Sequence, residues 1–198
     1  MGVEERMADR CNTIRLYSFQ TDVVYQVLKR DGVCYSKEEY VRKKYKESAK
    51  VFINAYGWFV KEAQHIVPKP EEAEYPYWAF TDLYNVDQTG DGHVLTLDVP
   101  IGEAILFDMF DWTKIMQMHY IGENESEEAA FSEELKNMGM NEFQIMTSNF
   151  YPEQKARIQE SWKRLFGHQQ AIEAGDNSGV HSVQAGLWCI KGEWIVKE

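Results

Sequence analysis

The sequence predicts a single α+β domain over residues 13–198, with a flexible tail over residues 1–12. Three observations carry that reading. Segments with strand-like alternation and segments with helical spacing follow one another in mixed order, and no internal repeat is visible. Most of the prolines and glycines fall between those segments or at their ends. A length of 198 residues with 44% apolar side chains suits one domain with a sizeable core. The expected layout is small mixed or antiparallel sheets, one long helix in the N-terminal half, and further helices packed on them.

The elements are read in order. Residues 14–19 alternate apolar and polar as a half-buried strand does. Thr21 then offers an N-cap, Val23, Val24, Val27 and Leu28 give helical spacing, and Gly32 stops the helix. Val33 to Tyr35 reads as a short strand. Ser36-Lys37-Glu38-Glu39 has the form of a capping box and opens a long helix that ends at Pro68. Tyr77 to Phe80 is a strand, Gly90-Asp91-Gly92 a hairpin turn, and His93 to Val99 a strand ended by Pro100. Ala104 to Phe107 is a further strand, with Asp111 capping a helix through His119. Residues 123–138 form an acidic helix ending at Gly139, and residues 152–166 a helix between Pro152 and Gly167. A loop over 175–179 leads to two strands, Val180 to Ile190 and Glu193 to Val196, which read as a hairpin around Lys191-Gly192.

Charge and cysteine usage bound the function. A net charge of −11 opposes general binding to nucleic acid, because that affinity rests on cations neutralising phosphates. Two cationic clusters stand against it, Lys37 to Lys50 and Lys155 to Arg164, each read as a solvated helix face. Three widely spaced cysteines do not suit a disulfide framework and imply a reducing, cytoplasmic setting. No apolar run approaches the roughly 20 residues that span a bilayer, so no membrane association is expected.

Most familiar chemistry is missing from the pattern. Asp87 to Gly92 resembles the start of a calcium loop but runs into a strand and ends without the bidentate Glu. The five histidines form no ligand-spaced pair, so no metal is expected. Cys34 and Cys189 sit on expected strands, where thiols are usually inert. Glycine-rich phosphate and dinucleotide fingerprints are absent. Asp108 and Asp111 follow a strand, where binding residues gather, although a helix cap at Asp111 and a turn set by Asp108 is the plainer explanation. Gln184 would line a cleft if it faces inward, and an outward orientation is equally compatible with the pattern. Each of the six tryptophans lies in a mixed aromatic and polar block, which suggests an indole-walled cleft.

Several blocks resemble a bacterial and phage family of small proteins of unknown function. They are Arg15 to Gln20, Tyr75 to Ala79, Val99-Pro100 with Ile105 to Trp112, Ser161 to Phe166, and Gln184 to Trp188. A weaker similarity is to the ADP-ribosyltransferase ground plan: strand, helix ending in Gly, strand, long helix, and a late strand bearing Glu or Gln. That resemblance implies NAD, used as a substrate, held between two small sheets. It assigns Arg15 or Tyr17 to the nicotinamide ribose, Tyr77 or Trp78 to stacking on nicotinamide, and Gln184 to positioning of the acceptor or the ribose. Asp108 would place negative charge near the oxocarbenium-like centre, and Ser18, Gln20 and Trp112 would complete the NAD site. The chain departs from that plan by lacking His-Gly-Thr or Arg-Gly after the first strand and a second acid beside Gln184. The implied activity is ADP-ribosyl transfer to a nucleic acid or protein, as in a toxin or a phage-defence factor. Two other expectations remain open: a non-catalytic protein binding a host or phage protein through the acidic helix at 123–138, and a nucleic-acid-binding protein using the Lys-rich helix.

Overall fold

The computed structural model describes residues 12–45 and 49–196; all but the last residue of the expected tail lies outside them. Five strands form one antiparallel sheet in the order β4-β1-β3-β6-β5: β1 (Thr13–Gln20), β3 (Tyr77–Phe80), β4 (His93–Pro100), β5 (Ile105–Asp108) and β6 (Val183–Leu187). A second, two-stranded sheet pairs β2 (Val33–Tyr35) with β7 (Cys189–Lys191). The helices are α1 (Asp22–Asp31), α2 (Glu38–Tyr45), α3 (Ala49–Ala63), α4 (Met109–Met116), α5 (Glu125–Asn137), α6 (Glu142–Thr147), α7 (Pro152–Ser161) and α8 (Gln169–Glu173). The architecture is α+β, as the mixed pattern predicts.

Alternation along β1 decides which side of the main sheet each residue serves. Leu16, Ser18 and Gln20 are buried on one face, while Arg15, Tyr17 and Phe19 look the other way. Register carries that parity across the sheet. Tyr17 stands opposite Thr96 and Phe80, Phe80 opposite Gln184, and Gln184 opposite Phe107, so these five share a face. The opposite face carries Leu16, Ala79, Leu97, Leu106 and Ala185, closed over by Leu28 of α1, Cys34 and Ile190 of the small sheet, and Trp194.

The Tyr17 face is covered over only half its width. Phe59 of α3 packs by its edge on Trp78, Phe107 and Trp112, at centroid distances of 5.1, 5.5 and 5.3 Å. Gly186 makes the seat: a Cβ there would lie 2.8 Å from the Phe59 ring. Under this cluster β5 and β6 are buried throughout, whereas Arg15, Tyr17, Phe80, Val94 and Thr96 on the β1–β4 side keep some exposure. The free edge of β5 is closed by a side chain. Gln169 accepts a hydrogen bond from the Leu106 N–H and donates one to the Ala104 carbonyl, replacing a strand neighbour.

Several local expectations change. Strands β6 and β7 are not a hairpin: the chain bends at Trp188 and enters the other sheet, where β7 pairs β2, and Gly192–Trp194 is a 3-10 turn. The segment before β4 is no hairpin turn either, because β3 and β4 are separated by β1 and the Asp87 carboxylate merely closes a turn on Thr89. Ser36 joins an isolated bridge with Tyr75, and Glu74 in place of a capping box accepts the Glu38 N–H at 2.8 Å. The long helix is described as α2 and α3, with residues 46–48 between them outside the described residues. Helices α6 and α8 were not expected. Helix α7 stops at Ser161 and gives way to a 3-10 segment, Trp162–His168.

Replacing Gly186 by Ala forces Phe59 out of its seat and should destabilise the fold by about 1–3 kcal/mol. Gly167→Ala, where an added Cβ meets nothing within 4 Å, should stay within about 0.5 kcal/mol. Urea denaturation of both variants checks the contrast.

Candidate functional site

One end of the main sheet gathers chemistry from four strands. Arg15 lies near the start of β1, Asp98 near the end of β4, Asp108 at the end of β5, and Gln184 near the start of β6. Antiparallel pairing brings these ends together. Arg15 holds Asp98 through both Nε and Nη2, the latter at 3.0 Å, across the register pair that joins β1 and β4.

Gln184 sits at the seam between the covered and open halves of the face, with Phe107 buried on one side and Phe80 half-exposed on the other. Its residue is only 3% exposed, and no hydrogen bond joins its side-chain amide to another described residue. No fully sealed side-chain polar atom lacks a partner among the described residues, so this amide reaches solvent through a narrow opening. An amide at such an opening can bond to water or to a ligand. Strands lie about 4.8 Å apart, so Tyr17 and Gln184, two strands away, are separated by roughly 10 Å across Phe80.

Asp108 has a different task from the one expected. It caps α4 by accepting the Phe110 N–H at 3.0 Å, displacing Asp111 from that role. It also accepts the His181 N–H at 3.0 Å and the Ser182 N–H at 3.4 Å, and contacts His181 Nδ1 at 2.8 Å. Burial pushes its carboxyl up, but the bonds from His181, Phe110 and Ser182 outweigh that and leave it below the ordinary Asp range. With its oxygens committed, Asp108 cannot offer a free charge to a reacting centre beside Gln184. The imidazole it holds is 73% exposed and lies 4.9 Å from the half-exposed Phe110 ring. His181 carried no motif that would have singled it out.

The remaining expected NAD residues divide by face. Tyr17 and Trp78 share the Gln184 face. Ser18, Gln20 and Tyr77 lie on the opposite face and cannot join them: Gln20 donates to Ser18, Ser18 donates to the Trp78 carbonyl, and the Tyr77 hydroxyl contacts Cys34 Sγ at 3.1 Å. Trp112 is buried against Trp78 at 4.7 Å, and Trp78 donates to the Tyr56 hydroxyl at 2.8 Å. These indoles therefore fill the core where an open slot was expected. The space between the two sheets is likewise packed, and Arg15 and Gln184 face away from it.

Two cavities lie elsewhere. One of about 530 Å³ is lined by Tyr120, Arg157, Glu160, Ser161, Lys163 and Arg164. Its cations are engaged: Arg157 with Glu134, Lys163 with Glu160, and Arg164 with Glu123 and Glu127. The acidic residues in and just before α5 thus answer Arg157 and Arg164 within the molecule. The Lys-rich cluster at 37–50 lies largely among side chains outside the described residues. The second cavity, about 210 Å³, has Trp188, Trp194, Pro68 and Pro70 in its wall. Cys189 also lines it, with its thiol pushed up to about 11 by burial, so it is a poor nucleophile. Among the described residues no cluster of three His, Cys, Asp or Glu could hold a metal, and no helix is long and apolar enough to cross a membrane.

A profile of the family described as Domain of unknown function (DUF3841) matches residues 15–196, and the chain belongs to that family. The match begins at Arg15 and ends at the last described residue, so it takes in both sheets and the whole sheet end described above. No curated protein and no solved structure matches the chain.

The Asp108 bonds give a pH signature. A carboxyl held below its ordinary range in the folded state stabilises the fold above the unfolded pKa, near 3.9, and loses that contribution as pH falls through the folded value. Asp108→Ala should cost about 1–2 kcal/mol at neutral pH, the usual worth of an N-cap. The gap from the parent should narrow below about pH 4. Denaturation midpoints measured across that range check the sign.

Proposed function

We propose that the chain cleaves NAD and transfers its ADP-ribosyl group, using the Tyr17 face of the main sheet as the site. The observation that carries the reading is the Gln184 amide, buried and without a protein partner, on the same face as Arg15 and Tyr17 with only β3 between their strands. The reading takes the first strand and the late strand as the two that serve the ligand, as the resemblance in the order of blocks implies. Arg15, with part of its guanidinium fork free of Asp98, suits a ribose hydroxyl or phosphate oxygen. Tyr17 and Phe80 offer half-exposed rings for the planar nicotinamide. Gln184 supplies a carbonyl dipole toward the positive charge that develops at the ribose C1′ as nicotinamide leaves. The reading requires ligand on the open half of the face, because the indole cluster occupies the other half.

A second reading, a non-catalytic binding protein, is favoured by one observation. Met138, Phe143 and Phe150 are exposed apolar side chains following the acidic helix α5, and exposed apolar groups beside charge suit a protein partner.

Purified protein incubated with nicotinamide-labelled NAD should release nicotinamide above a boiled control. Gln184→Ala should lower that rate by roughly 10²–10³-fold, the scale for losing one preorganised dipole. Arg15→Ala should lower it too, and charge reversal at Glu125 and Glu133 on α5 should leave it unchanged. No release with any of several acceptors, together with loss of a partner on charge reversal, would turn the assignment to the binding reading.

A further inference from the structure

We propose that the smaller cavity, where the chain bends from one sheet into the other, binds a small, neutral, planar ring carrying one hydrogen-bond acceptor. None of the residues assigned to NAD lines it, so this site stands apart from the transfer reading. Its wall is drawn from four places in the chain. Pro68 and Pro70 follow α3, Gly102 and Glu103 belong to the 3-10 turn after β4, Trp188 and Cys189 form the bend, and Trp194 ends the 3-10 turn after β7. Two bonds fix the wall without a ligand. Trp188 Nε1 donates to the Val67 carbonyl at 2.8 Å, and Lys191 Nζ, which lies 5.0 Å from the Trp194 ring centroid, ties down Glu103.

Volume and charge set the class of ligand. The cavity holds about 210 Å³. An apolar cavity of about 150 Å³ takes up benzene, and pockets for drug-sized ligands begin at about 300 Å³. One ring or two fused rings therefore fit, and a dinucleotide does not. The one carboxylate in the wall, Glu103, has both oxygens on Lys191 Nζ, at 2.8 and 2.6 Å. The Cys189 thiol, pushed up by burial, stays protonated at neutral pH and adds no charge. A charged ligand would give up its hydration and meet no free counter-charge. An uncharged aromatic ring meets two indoles, which it can contact edge-on or by offset stacking.

The Trp194 indole supplies the polar contact. The residue is only 4% exposed, and its Nε1–H donates to no other described residue. No fully sealed side-chain polar atom lacks a partner among the described residues, so this N–H keeps an opening, and the cavity is the space that the ring lines. An indole N–H only donates. The ligand atom that meets it must be an acceptor.

Quinoline and naphthalene test the idea, because they share a shape and only quinoline carries a ring-nitrogen acceptor. Isotope-labelled full-length protein is titrated with each, and with benzoate as the charged ring, while the six indole N–H resonances are followed by NMR. The Trp194 N–H should shift saturably with quinoline, and benzoate should not displace it. In Trp194→Phe, which keeps a ring and loses the donor, the quinoline-to-naphthalene affinity ratio should fall by roughly 3–10-fold, the net worth of one neutral hydrogen bond. Gly102→Leu places a side chain in the wall at a position where an added Cβ meets nothing within 4 Å, so it should fold normally and lose both rings. A Trp194 N–H that stays still with both rings, an unchanged ratio in Trp194→Phe, displacement by benzoate, or full binding by Gly102→Leu overturns the inference. If Trp194→Phe does not fold, the parent resonance and Gly102→Leu decide it.

Discussion

Phe59 resting on Gly186 is the contact from which the asymmetry of this molecule follows. A side chain at 186 would exclude the ring, and without the ring Trp78, Phe107 and Trp112 lose the surface they meet edge-on. Edge-to-face aromatic pairs each add about 0.5–1.5 kcal/mol beyond area burial, so this cluster fixes α3 and α4 over β3, β5 and β6. The same cluster is too narrow to reach β1 and β4. One half of the face becomes core and the other half stays partly open, and Gln184 stands at the boundary. The opposite face has no such boundary, because α1, the small sheet and Trp194 close it together.

Polar groups at the sheet end are used economically. Asp108 caps a helix, ties the approach to β6 to the end of β5, and orients an exposed imidazole. Arg15 and Asp98 satisfy each other across β1 and β4. Gln169 closes an edge strand with the two faces of one amide. Against that background the Gln184 amide is the exception, because it bonds to no described residue and meets solvent only through a narrow opening. The charge clusters, by contrast, largely explain themselves: Arg157 of α7 pairs with Glu134 of α5, and Arg164 of the following 3-10 segment with Glu123 and Glu127.

Much of the architecture was legible because alternation and punctuation are local. β1, α1 with its left-handed Gly32, β2, β3 and β4 fall close to where the pattern puts them. The C-terminal strands were not legible in the same way. β6 and β7 are buried on both sides of the chain, so no alternation marks the bend at Trp188 where one sheet is left for the other. Helices α6 and α8, of six and five residues, are too short for a helical period to emerge; α6 was announced only by the Asn141–Gln144 capping box. Part of the site could have been refined without coordinates. Arg15 and Tyr17 differ in parity from Ser18 and Gln20, so a strand cannot present all four to one ligand. Pairing of Asp108 with His181 could not, since 73 residues separate them and only the β5–β6 register joins them.

The central claim is that ligand binds where the aromatic core stops, at the Gln184 amide. A titration of isotope-labelled protein with NAD, following the Gln184 side-chain NH₂ resonances by NMR, addresses it directly. The account predicts saturable shifts of that pair, with the Tyr17 and Phe80 backbone amides moving at the same NAD concentration. Shifts confined to the cavity beside Trp188 and Trp194, or a Gln184 amide that stays still while others saturate, would contradict it.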